Sequence, residues 1–341
     1  MRLTEISKSS QGTLWLSGAL LLVGMIAMLL LLRRVGVEPA MQSLDRVGPG
    51  VILVFLAPLV GMLLHTWAWL MLLPRSLRPR PMMAFAAYLA SQAGDELGAG
   101  VAGEPLKALV FPAPVRSTTL VALALDNGTF ITATVLCLAG AALLPWDSTS
   151  LVSARTCTGL AVTSFAVVLI AVTLILVGLP RRWGRGSGRL AQVVRLLDGA
   201  RLALLSQPRL VLGSMLLHLG GKLWIVAEMA LLLMLLGLSP ALAPWLAAVS
   251  LVASALGAAI PAQMGVLEAA VFAACTAFGM DGATAMALVL LRRLRGGLWI
   301  ALGLLLTKTV LAHGKASPAD LAPRSARSTL RARPLLHTPT A

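Results

Sequence analysis

Long apolar runs constrain this chain more than any motif does. Residues 14–32, 51–73, 119–144, 157–179 and 210–238 are dominated by apolar side chains, and each approaches or exceeds the about 20 residues that a helix needs to cross a bilayer. Within hydrocarbon no water serves the backbone, so a spanning segment must satisfy its own amides and carbonyls, as a helix does. The predicted fold class is therefore all-α, a polytopic membrane helix bundle. The residue balance agrees, with 58% of residues apolar, 12% charged and a mean hydropathy of +0.89.

The formal charge of +15 does not point to nucleic acid. The basic residues stand in short loops and at run ends, where the cytoplasmic side of a membrane protein carries them. Arg2 and Lys8 precede the first run, Arg33 and Arg34 follow it, and no small-residue cleavage pattern is present, so that run is expected to be retained as a first helix. Arg75, Arg78 and Arg80 close the second run, and the loop of residues 181–209, which begins at Arg181 and ends at Arg209, holds seven arginines against the single acid Asp198. That loop is expected to meet anionic lipid headgroups, through an interfacial helix carrying Leu190, Val193, Val194, Leu197 and Leu204 at helical spacing. The charge pattern predicts cytoplasmic N- and C-termini, with residues 313–341 a disordered basic tail. Cys137, Cys157 and Cys275 lack paired spacing, and His65, His218, His313 and His337 lack ligand spacing, so no metal and no cofactor is expected.

Two stretches break the pattern. Residues 91–112 contain Gly94, Gly98, Gly100, Gly103 and Pro105 together with Asp95, Glu96, Glu104 and Lys107, and residues 261–268 contain Pro261, Gly265 and Glu268. Residues 245–260 before the second break look too short to cross comfortably. Counting gives about six full spans plus two broken, re-entrant helical hairpins, arranged as pseudo-repeats 13–144 and 157–311. Three crossings per half require the halves to be inverted, and interruptions at matching positions of inverted halves point to a transporter's central site.

Ionisable groups at membrane depth cost roughly 2.5–3.5 kcal/mol each, so they are kept for a partner or a task. Glu104 precedes Pro105 at the start of a half-helix, where it either caps that helix or, with Lys107, contacts an anionic substrate. Glu268 mirrors it in the second half. Asp126 in the third span and Lys222 and Glu228 in the fifth must face the interior, as salt bridges or as substrate contacts. Arg292, Arg293 and Arg295 either mark an outer boundary, bind a lipid phosphate or carboxylate, or pair with Glu268 or Asp281. The candidate substrate path is Glu104, Lys107, Asp126, Glu228, Glu268, Arg293 and Arg295.

The segments GEPLKALVFP, PAQMGVLEAAVFA and RRLRGGLWIALGLL, in this order and at these separations, resemble the lysylphosphatidylglycerol synthase transmembrane-domain family, also called flippase-like membrane proteins. The resemblance covers residues 14–311. LALDNGTFITA with Asp126 and HLGGKLWIVAE ending in Glu228 look most like the branch associated with hopanoid biosynthesis. Where many members carry a Glu-Arg pair ahead of the third-span aspartate, this chain has Ala122 and Leu123. The resemblance implies a non-catalytic lipid transporter of the bacterial inner membrane, moving a hopanoid or another isoprenoid or phospholipid between leaflets. The stretch after Ala312 is too short for the soluble transferase domain of the synthases, so lysyl transfer is not expected. A scaffold that docks lipid-synthesis enzymes and an intramembrane lipid-modifying enzyme are the competing classes.

Overall fold

The computed structural model describes residues 35–97, 103–111, 116–143, 204–257, 260 and 263–315, with isolated positions in 22–33 and 198–202. Every regular element among these residues is helical: α1 Val37–Asp45, α2 Val51–Leu56, α3 Pro58–Leu72, α4 Pro81–Leu97, α5 Gly103–Ala108, α6 Arg116–Ala142, α7 Pro208–Leu235, α8 Ala243–Gly257, α9 Val266–Ala277 and α10 Gly282–Lys315.

Among the described residues, four helices are long and apolar enough to cross a membrane: Gly48–Leu72, Thr119–Ala141, Pro208–Leu235 and Pro240–Gly257. This corrects the expected six. Runs 14–32 and 157–179 fall outside the described residues apart from isolated helical positions in the first. Of residues 245–260, taken as too short, those up to Gly257 belong to a helix that starts earlier, because a 3-10 turn at Pro240–Leu242 leads straight into α8. The inverted repeat falls with the count, since it rested on three crossings in each half. The last run forms one helix, α10, that continues to Lys315, beyond the expected start of the tail at residue 313. The interfacial helix expected in the basic loop lies almost wholly outside the described residues.

Only 22–33% of each spanning window is buried against protein, and Ile52, Leu56, Trp67, Leu212, Leu216 and Leu223 project outward, as lipid-facing residues do. The inward faces form two apolar clusters. One surrounds Leu232, Leu246, Val271 and Leu288 on α7 to α10; the other surrounds Trp69, Ala87, Phe111 and Val310. Helices α3 and α7 run antiparallel, since Gly221 meets the His65 ring and Gly213 meets the Met71 side chain. Their approach is close enough that a Cβ on Gly221 would lie 2.5 Å from His65 Cε1. Helices α4 and α10 are antiparallel too, with Gly303 against the Leu89 carbonyl and Val310 in the cluster that holds Ala84.

Pro58 lacks an amide proton and interrupts the first span between α2 and α3. Carbonyls beside this break are served from other helices: Trp224 Nε1 donates to Ala57 O at 2.7 Å and Trp299 Nε1 to Phe55 O at 3.1 Å. At the basic end, Arg78 donates to Leu73 O and Met71 O, and Arg116 to Phe111 O, so these cations also satisfy terminal carbonyls.

Asp281 starts α10 by accepting from the Thr284 amide at 2.9 Å. The Thr284 hydroxyl and then its amide hold this carboxyl below its ordinary range. A depressed folded-state value means that the cap's contribution is complete above the unfolded value of about 3.9 and is lost as pH falls through the folded one. Asp281→Ala is expected to cost about 1 kcal/mol at neutral pH, a difference from wild type that vanishes in strong acid; thermal unfolding of both proteins at the two pH values checks it.

Candidate functional site

Helix α4 ends at Leu97 and α5 packs back against it. Gly94 faces Leu106 and Gly103, and the Gly103 amide donates to Asp95 Oδ1 at 2.9 Å. The first amide of α5 is thus already held by a carboxylate, and the acid that holds it is Asp95. Glu104 lies in the first turn of α5; its side chain is outside the description. Lys107, on the same helix, is 3% exposed and donates to Asp126 Oδ2 at 3.1 Å, with its ammonium 5.5 Å from the Tyr88 ring centre.

The second break is made by Gly265 at φ 84°, a conformation that a side chain disfavours. It turns the chain so that Glu268 Oε2 accepts from the Gly265 amide at 2.8 Å. The other carboxylate oxygen, Oε1, takes the guanidinium of Arg293. One acid therefore caps its helix with one oxygen and reaches the neighbouring helix with the other. Glu228 on α7 accepts from Arg295 at 2.7 Å, and Arg292 donates to Ser250 Oγ on α8. The arginines are partly buried and tied to α7, α8 and α9. Of the two acids proposed as their partners, Glu268 pairs and Asp281 serves as a cap.

These groups surround a cavity of about 230 Å³. Its polar wall includes Glu96, Gln263, Glu268, Arg292, Arg293 and Arg295, and its apolar wall includes Leu267, Val271 and Ile300. Pro58 and Met62 of the interrupted first span close one side.

The seven residues expected on one path thus fall into separate places. Glu268, Arg293 and Arg295 line the cavity, and Glu228 joins them through its bond with Arg295. Lys107 and Asp126 pair in another polar centre with His218, whose Nε2 lies 2.9 Å from Asp126 Oδ1, and His65, whose Nδ1 lies 2.8 Å from His218 Nδ1. Sequence spacing missed both histidines, because they stand 153 positions apart and meet only through α3–α7 packing. The available signal was burial: a histidine in a spanning run needs a polar partner. No group of three or more His, Cys, Asp or Glu side chains placed to hold a metal occurs among the described residues.

No curated protein and no solved structure matches the chain. The sequence profile described as "Lysylphosphatidylglycerol synthase TM region" matches residues 15–303, which is most of the chain. Lipid transport by a non-catalytic, multi-pass membrane protein is consistent with that match. The chain belongs to the lysylphosphatidylglycerol synthase transmembrane-region family.

Proposed function

We propose that the chain is a flippase-like transporter that carries a lipid between leaflets with the headgroup in the arginine-lined cavity. The observation behind this reading is the convergence of Arg292, Arg293 and Arg295 from about one turn of α10 on an internal cavity, each already held by an oxygen acceptor from another helix. A phosphate presents acceptors in the same fork geometry as a carboxylate, so it exchanges with Glu228 or Glu268 without leaving a guanidinium bare. Glu96, Glu228 and Glu268 balance the three arginines in formal charge, which suits a headgroup that combines acceptor oxygens with hydroxyl or amine donors. The acyl or ring portion stays among the outward apolar side chains.

The basic end of the bundle supports a cytoplasmic assignment for the C-terminus. Arg75, Arg78 and Arg80 follow α3, Arg209 begins α7, and Met71 beside Gly213 puts these at one end; α10, antiparallel to α4, finishes there. A bacterial inner membrane follows from the positive-inside rule and the family resemblance.

The test is purified full-length chain in liposomes, with loss of fluorescence of a headgroup-labelled phospholipid on adding an impermeant quencher. Exchange well above protein-free vesicles is expected, and unlabelled hydroxylated hopanoid should slow it if that lipid is the substrate. No acceleration for phospholipid or hopanoid overturns the reading.

A further inference from the structure

The residues of the second polar centre are not among those that line the cavity. His65, Asp126, His218 and Lys222 each fall within five residues of the middle of Gly48–Leu72, Thr119–Ala141 or Pro208–Leu235, where the bilayer is driest. All four are at most 7% exposed. They surround Phe130, with ring centres of His65 and His218 at 5.2 and 5.4 Å and Lys222 Nζ 3.5 Å over its face. The other titratable groups facing this centre are Tyr88 on α4, Lys107 on α5 and Cys137 on α6.

Hydrogen-bond direction limits the protons that this arrangement holds. A carboxylate accepts, so His218 Nε2 must donate to Asp126. The contact between the two Nδ1 atoms then requires one of them to carry a proton and the other a lone pair. If His218 is neutral, its Nδ1 accepts and His65 Nδ1 donates. If His218 is the cation, its Nδ1 donates and His65 carries its proton on Nε2. A proton added at His65 Nε2 with transfer of the shared Nδ1 proton to His218 converts the first state into the second, with one proton gained and no heavy atom displaced.

Lys222 makes no ion pair and no hydrogen bond among the described residues; its contact is the face of Phe130. The ring quadrupole attracts a cation placed there, but a ring face brings no countercharge. One carboxylate, Asp126, stands among two amines and two imidazoles, so this dry centre disfavours a charge on Lys222 together with a charge on the histidine pair.

We propose that His65 and His218 form a proton-transfer pair, with Lys222 competing for the same proton, and that this pair couples proton movement to the lipid movement proposed above. The inference rests on that transport reading for its coupling, while the proton site stands on its own geometry. The physical link is α3: Gly61, one turn before His65, faces Glu228, which holds the cavity-lining Arg295.

Two measurements test it. In bilayers of phosphatidylglycerol and phosphatidylcholine, ¹⁵N-histidine spectra of the wild-type chain should show a coupled Nδ1 pair whose proton changes side as pH is lowered, with the change moved to higher pH in Lys222→Met. Tautomers fixed across the range overturn the proposal. In liposomes of the same lipids, a transmembrane gradient of one pH unit should enrich labelled phosphatidylglycerol about tenfold in one leaflet for each coupled proton. His218→Gln should abolish that asymmetry and leave exchange without a gradient unchanged. Wild-type exchange that ignores the gradient overturns the coupling while transport stands. Absent exchange overturns transport, and the spectra then decide the proton site. If His218→Gln does not accumulate, the wild-type spectra decide as well.

Discussion

Replacing Glu268 by alanine is expected to cost folding stability at the lower end of the about 3–5 kcal/mol seen on breaking a buried pair, because Arg293, a largely buried cation, loses the carboxylate at its Nε and keeps Glu96 as the other acid acting on it. The Gly265 amide also loses the acceptor that starts α9. The Arg293 side chain is 24% exposed and that of Glu268 1%, so water reaches the cation only in part. Adding Arg293→Met removes the charge that Glu268 had compensated and should return most of the stability, since apolar replacement of a buried pair is often neutral or favourable. It should not return lipid exchange. Thermal unfolding in nanodiscs beside the liposome assay separates the two effects. An Glu268→Ala/Arg293→Met protein that exchanges lipid at the wild-type rate removes this pair from the transport site.

Asp126→Leu should be about as damaging, for a different reason. Asp126 accepts from Lys107 with one oxygen and from His218 with the other. Leucine takes the carboxylate from the buried Lys107 ammonium and deprives His218 Nε2 of its acceptor, at a cost of about 3–5 kcal/mol. Adding Lys107→Met should recover stability, because the remaining histidine pair has a neutral state. The readout is the midpoint of thermal unfolding for wild type, single and double variants. A single variant that unfolds with wild type shows that water already enters this centre.

The membrane class and both helix breaks were legible because hydropathy and Gly/Pro punctuation are local properties. The pairing of Glu268 with Arg293 was nameable as one of two options, since few acids exist to meet those arginines. The histidine centre was not legible, because His65 and His218 meet through the register of α3 on α7, which glycines such as Gly221 set and no local pattern reveals. One of the four spans was missed for a related reason. Residues 245–260 were measured from their apolar core, whereas the helix begins at a serine–proline turn, where Ser239 Oγ accepts from the Ala241 amide. Asp95 was seen as one of several acids in a glycine-rich stretch, and only the fold shows that it, holding the Gly103 amide, fastens α5 to α4.

The two indoles beside Pro58 have a mechanical consequence. Trp224 belongs to the helix that bears His218, and Trp299 to the helix that bears the three arginines; both grip oxygens of one interrupted strand of backbone, two residues apart. Tilting either helix alone would tear a donor from that notch in a medium that offers no replacement. The helix of the histidine centre and the helix of the arginine cavity are therefore tied to one short stretch of backbone.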